Sequence, residues 1–161
     1  MVKYEDKRLC SECGGTCCKS MGCHFSPDDF NEVTYELLKS KIEDGHVSID
    51  WWEGDPTDNN VLEKAYILRM RNISAPVVDP SYGGVCSVLT SSGCPLPFES
   101  RPKGGRTLIP KQDGCILEYT KKQCAIDWLP YSDILEKLYH EYKPSFGNED
   151  VLKIFLSQFS K

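Results

Sequence analysis

Two kinds of apolar spacing run along this chain of 161 residues, separated by a long stretch that has neither. Phe30, Val33, Leu37 and Leu38 recur at helical intervals. Ser26 before them is a good N-cap, Pro27 suits the first helical position, and Asp28 and Asp29 suit the positive end of the dipole. The pattern predicts one helix opening at Ser26 and stopping at Gly45. Val47–Trp52 and Ala65–Arg71 are instead β-branched and aromatic, and in the second Tyr66, Leu68 and Met70 face opposite Arg69 and Arg71. With the loop 54–60 between them they predict an antiparallel pair. Ser132 is expected to cap a helix carrying Ile134, Leu135, Leu138, Tyr139 and Tyr142 and ending near Pro144. Asn148 opens a last expected helix with Val151, Leu152, Phe155 and Phe159 on its buried face.

Residues 72–114 hold most of the prolines and show no repeating period. So long an irregular stretch inside a compact domain needs something other than a hydrogen-bond ladder to hold it. Residues 10–24 are irregular too, and Gly14, Gly15 and Gly22 free the backbone there, as a chain wrapping a metal often requires. The elements together predict a small α+β single domain over residues 1–161, with helices around a short antiparallel β pair and an irregular cysteine-rich, metal-bound part.

Composition narrows the function. Hydrophobic residues are 40% and charged residues 27%, an ordinary globular balance. The net charge of −5 argues against sequence-independent nucleic-acid binding, which needs clustered positive charge. Trp51, Trp52, Tyr66 and Tyr82 accordingly read as packing residues rather than a base-stacking platform. No stretch approaches the ~18 apolar residues of a membrane span. The first eight residues are charged with no apolar run behind them, so no signal peptide is expected and the protein is expected in the cytoplasm.

Nine cysteines stand out against that background. Thiols stay reduced in such a compartment and nine is an odd number, so metal explains them better than disulfides. Cys10 and Cys13 have the spacing of a thiolate knuckle, and Cys17 and Cys18 follow at once. Adjacent side chains point apart, so one of that last pair serves a second metal or faces away. Four thiolates suit zinc or an iron–sulfur cluster equally, although the spacing departs from the bacterial ferredoxin run. Buried thiols also act as small hydrophobes, the alternative for Cys23, Cys115 or Cys124 taken singly. A redox dithiol at Cys10 and Cys13 lacks the βαβ context it needs.

Cys10-x2-Cys13-x3-Cys17-Cys18, then Ser26-Pro27-Asp28-Asp29, Cys86-Ser-Val-Leu, Gly93-Cys94, Arg101-Pro102 and Arg106 through Pro110 occur in that order. Over residues 10–110 the chain resembles the YkgJ family of cysteine-cluster proteins, described as a zinc- or iron-chelating domain. The resemblance implies metal binding. The family's usual cysteine before the arginine is Gly105 here, so Cys23, Cys115 or Cys124 is left to replace it, or fewer metals are held. A relative, the flagellin lysine N-methylase, carries out chemistry. This keeps open an iron- or iron–sulfur-dependent redox or transferase enzyme, although the sequence names no catalytic residue.

The expected ligands are Cys10, Cys13, Cys17, Cys18, Cys86, Cys94, Cys115 and Cys124, enough for two four-thiolate sites. Zinc is expected ahead of iron or an iron–sulfur cluster. Arg101, Lys103 and Arg106, with Lys19, are candidate cations to offset thiolate charge. His24 is a weaker nitrogen candidate. Lys103-Gly104-Gly105-Arg106 suggests an anion cradle but lacks the rest of a nucleotide motif. The expected role is a metal-stabilised accessory or interaction module with a possible protein partner, no nucleic acid and no membrane. Leu138, Tyr142, Phe155 and Phe159 either form a partner-facing patch or close the core.

Overall fold

The computed structural model describes residues 6, 8–9, 12, 22–58, 64–73, 75–80, 84–91, 93–111 and 115–143. Cys10, Cys13, Cys17, Cys18, Lys19, Tyr82 and the expected last helix lie outside them.

Ser26 opens a 3-10 turn, Pro27–Asp29, and does so with a full capping box: its hydroxyl accepts from Asp28 N while the Asp29 carboxylate accepts from Ser26 N. The turn then breaks at Phe30, which is extended. Thr34 caps a separate helix, α1 (Tyr35–Glu43), through the Leu37 N–H. The single helix expected from Ser26 to Gly45 is therefore two pieces. Asp29 is the cause, because its carboxylate also binds Lys103 and Arg106 and fixes the turn against another part of the chain. Gly45 does stop α1, at φ 95°, the left-handed conformation that glycine adopts without strain.

The strands form as expected to within a residue: β1 (Val47–Glu53) pairs antiparallel with β2 (Lys64–Met70), Ile49 opposite Leu68. Short segments cover both of their edges. Cys23–Phe25 adds to β2 through Phe25 N to Leu68 O and Met70 N to Cys23 O, both 2.9 Å. Val77–Asp79 adds parallel to β1 through Ile49 N to Val77 O (2.7 Å) and Asp79 N to Ile49 O (2.9 Å). The edge N–H and C=O groups are thereby paired rather than left to water.

Downstream come a four-residue helix, α2 (Lys103–Arg106), a hairpin of β3 (Leu108–Ile109) with β4 (Ile116–Leu117), then α3 (Lys121–Trp128) and α4 (Ser132–Tyr142). Helices α1, α3 and α4 pack on the β1–β2 pair. This is a mixed α+β architecture. The core joins Leu38 and Ile42 of α1, Ile49 and Trp51 of β1, Ile67 and Leu68 of β2, Trp128 of α3 and Leu138 of α4. Trp51 meets Tyr66 and Tyr139 edge-on, and Tyr66 stacks on Tyr139 at 4.7 Å. Leu138 is fully buried, so on α4 the core-closing alternative holds for that residue. Ser132 begins α4 without capping it; a 3-10 turn at Leu129–Tyr131 runs straight into the helix. Among the described residues, no helix is long and apolar enough to cross a membrane.

Candidate functional site

Charge buried in the sheet is the first thing the alternation of β2 conceals. Arg69, expected on the face opposite Tyr66, Leu68 and Met70, is fully buried, and so is Asp50 on β1. Arg69 Nε lies 3.2 Å from Asp50 Oδ2, and Nη2 lies 2.6 Å from Asp79 Oδ2. The same guanidinium donates to the carbonyls of Asp79 (2.8 Å) and Met70 (3.1 Å). Asp50 accepts in addition from Trp51 N at 2.7 Å and faces Lys121 Nζ at 3.4 Å. Two cations meet two carboxylates, and the guanidinium makes four hydrogen bonds, the kind of satisfaction a buried pair requires. A charged residue within each largely apolar strand, Asp50 in the middle of β1 and Arg69 next to the end of β2, was the available signal.

At the far end of β2 the chain returns beside itself, Asn72 pairing with Cys86. Cys86 is buried and opens a turn closed by Leu89 N to Cys86 O at 3.1 Å. Thr90 and Gly93 then bond reciprocally, N to O, at 3.1 and 3.0 Å, with Gly93 at φ 100°. This reversal brings the Cys94 thiol close enough to act on Cys86. Burial pushes the Cys86 thiol above its ordinary range, and Cys94 adds to that. The backbone of Val88 and Leu89 and the Arg69 charge pull the other way. Backbone donors and a cation near a sulfur are what a metal-bound thiolate needs around it.

The other cysteines are placed differently. Cys124 lies in the core with no exposure, its thiol 3.3 Å from the Phe25 carbonyl that also accepts from Trp128 Nε1 at 2.8 Å. Burial pushes that thiol well up, and Asp50, Asp127 and Asp29 act in the same direction. Its surroundings are those of a core thiol. Cys115 is half-buried just ahead of β4. Cys23 is half-buried as well, and a Cβ on Gly105 would come within 3.3 Å of its sulfur. Position 105 and Cys23 are therefore neighbours, a proximity that spacing along the chain does not reveal. Among the described residues, no group of three or more His, Cys, Asp or Glu is placed to hold a metal. Cys86 and Cys94 flank one chain reversal, held by the reciprocal Thr90–Gly93 bonds.

The Lys103–Arg106 segment is not an anion cradle. Lys103 N donates to Asp29 Oδ2 at 2.8 Å, Gly104 N to His24 O at 3.0 Å, and Gly105 and Arg106 N to Pro102 O. Its N–H groups thus already have protein acceptors, and the anion it holds is Asp29, whose Oδ1 lies 2.6 Å from Arg106 Nη1. Gly104 permits the approach: a Cβ there would sit 2.9 Å from the His24 backbone nitrogen. An open cleft of about 630 Å³ lies alongside, between Phe25, Phe98, Arg101 and Arg106. The expected offsetting cations are engaged locally as well, Arg101 on the Leu96 carbonyl (3.0 Å) and Lys103 over the Tyr119 ring (4.9 Å). The cation beside Cys86 is Arg69.

One close contact links this end of the sheet to the segment that carries the first four cysteines. Gly22 lies so near β2 that a Cβ on it would fall 2.2 Å from the Met70 carbonyl oxygen and 2.7 Å from Met70 Cβ. Met70 in turn packs against Cys86 in a small apolar cluster with Phe25, Val88, Leu89 and Leu96. Compared with family models, curated proteins and solved structures, the chain matches none.

Proposed function

We propose that this protein binds a metal ion, zinc ahead of iron or an iron–sulfur cluster, through clustered cysteine thiolates, and serves as a metal-stabilised accessory or interaction module. The observation that carries the reading is the reversal from Cys86 to Cys94: Asn72 pairs with Cys86, Leu89 N closes a turn on Cys86 O at 3.1 Å, and Thr90 and Gly93 bond reciprocally just ahead of Cys94. Support comes from Gly22 as well. This residue, which follows 10–21, lies against Met70, which itself packs on Cys86.

The proposed ligands are Cys86 and Cys94 with cysteines drawn from Cys10, Cys13, Cys17 and Cys18. Cys115 and Cys23 remain available to a second site, and Cys124 stays with the core. When bound, the metal supplies folding free energy to irregular segments that have little apolar core of their own. The chain's part is to present the sulfurs, to shield Cys86 from water and to offset its charge.

X-ray absorption at the zinc edge tests the ligand set. A shell dominated by sulfur near 2.3 Å is expected, with sulfur lost in Cys86→Ser and Cys94→Ser. A shell of nitrogen and oxygen at about 2.0–2.2 Å, indifferent to both substitutions, would overturn the assignment.

A further inference from the structure

We infer that the cleft beside α2 binds a small zwitterion, a free α-amino acid with an apolar side chain, through the guanidinium of Arg106. No cysteine enters the site, so the inference stands apart from the metal reading.

The cleft, of about 630 Å³, lies between two 3-10 turns, Pro27–Asp29 and Phe98–Ser100. That volume falls within the roughly 300–1,000 Å³ of small-molecule sites. Phe25 and Phe98 give it apolar walls. Asp28 and Glu99, one from each turn, are exposed, whereas the Arg106 side chain is only 14% exposed. The lining therefore combines a cation at depth, two phenyl rings and carboxylates toward solvent.

How Arg106 is held decides what it can do. Its Nη1 makes both of its contacts, an ion pair with Asp29 Oδ1 at 2.6 Å and a hydrogen bond donated to the Arg101 carbonyl. Asp29 is fixed in turn, since its Oδ2 accepts from Ser26 N and Lys103 N, both at 2.8 Å. The guanidinium is thus gripped by one amino group. Nε and Nη2, whose parallel N–H bonds form the fork that matches a carboxylate, have no acceptor among the described residues. The backbone N–H groups of α2 already have acceptors; this fork does not.

The rest of the lining selects what carries the carboxylate. Asp28, Asp29 and Glu99 stand against two guanidinium groups, Arg101 and Arg106. A bare anion would add to an excess of negative charge, and a dianion such as phosphate would add more. A ligand with its own ammonium adds none, and Asp28 and Glu99 supply acceptors for it. The phenyl rings take the apolar side chain.

Calorimetric titration of the full-length protein with L-phenylalanine and L-leucine tests the site. Three further probes isolate its parts: 3-phenylpropionate lacks the ammonium, phenethylamine lacks the carboxylate, and phenyl phosphate replaces both with a dianion. Saturable binding of the two amino acids is expected, with each of the other probes weaker by about tenfold or more. Arg106→Lys keeps a charge opposite Asp29 but has no fork, and it should lower the affinity for L-phenylalanine by about tenfold or more. Asp28→Asn, at an exposed position, should narrow the preference for L-phenylalanine over 3-phenylpropionate. Melting of the ligand-free variants is recorded in parallel. A wild type with no saturable binding, equal affinity for L-phenylalanine and 3-phenylpropionate, or an affinity indifferent to Arg106→Lys would overturn the inference. Should Arg106→Lys fail to fold, Asp28→Asn decides by the same titration, an unchanged preference then overturning it.

Discussion

Replacing Arg69 with methionine tests whether the charged centre of the sheet holds the fold together. Methionine matches the length of the arginine stem but brings no charge. It would leave the Asp50 carboxylate in a site with no exposure and without its guanidinium, while Trp51 N at 2.7 Å and Lys121 Nζ at 3.4 Å stay in place. Asp79 would lose its 2.6 Å partner, and the Asp79 and Met70 carbonyls would each lose a donor. Breaking a buried pair from one side typically destabilises by about 3–5 kcal/mol, because the remaining charge is left without compensation. For a chain of this size that corresponds to a drop in melting temperature of roughly 6–20 °C. Urea unfolding of the metal-free protein, read by tryptophan fluorescence, measures it directly. Adding Asp50→Leu to Arg69→Met should recover part of the loss, since the uncompensated carboxylate is then gone. A loss below about 1 kcal/mol, or no recovery in the double variant, would mean that water reaches these groups and that the ion core is not the anchor described.

Three further outcomes are expected. Cys124 has a folded pKa raised above that of the unfolded thiol, chiefly by burial. Its contribution is therefore fully present below about pH 8.5 and lost as pH rises beyond it, where the unfolded chain releases a proton that the folded chain retains. Stability of the metal-free protein between pH 9 and 10 should fall more steeply than that of Cys124→Ala, by about 1.4 kcal/mol per pH unit; equal slopes would contradict the buried placement. In alkylation of the folded, metal-free protein mapped by mass spectrometry, Cys23, Cys94 and Cys115 should label before Cys86 and Cys124. Labelling of Cys124 as fast as Cys115 would refute that order. Gly104→Ala would place a Cβ 2.9 Å from His24 N and 3.0 Å from His24 O, both backbone atoms. It should destabilise by about 1–3 kcal/mol in chemical denaturation, and a neutral result would mean that α2 does not lie against Cys23–Phe25.

How much of this was legible in the sequence depended on the range of the determining contact. The β1–β2 pair and the end of α1 at Gly45 are set by local spacing and one left-handed glycine, and they emerge within a residue of expectation. Helix α3 was not anticipated, although Thr120 three residues before Gln123 supplies a capping signal and Cys124, Ala125 and Trp128 mark its buried face. Eight residues beginning Lys-Lys-Gln offer too short a period to stand out. The continuous helix from Ser26 failed for the opposite reason. Its local signals were sound, but Asp29 is held by Lys103 and Arg106, more than seventy residues away.

The same distance hid the site. Period-two alternation turns Arg69 toward solvent unless something covers that face. What closes round it is Asp79 and the Cys23–Phe25 segment, neither adjacent to β2 in sequence. Cys86 and Cys94 were expected among the ligands, but nothing in their spacing pointed to the reversal that joins them. The pairing of Asn72 with Cys86, the closeness of Cys23 to position 105 and the passage of Gly22 across Met70 are products of tertiary packing and leave no pattern in one chain.

Metal content of the native protein tests the central claim most directly. The protein should be purified anaerobically without added metal, and its zinc, iron and acid-labile sulfide quantified beside a Cys86→Ser/Cys94→Ser double variant. The account predicts about one or two zinc ions per chain in the wild type and fewer in the variant. Iron with matching sulfide, lost in the variant in the same way, would keep the thiolate centre and change its metal. A wild type free of metal, with all nine thiols open to titration and a melting curve indifferent to added zinc, would contradict the account.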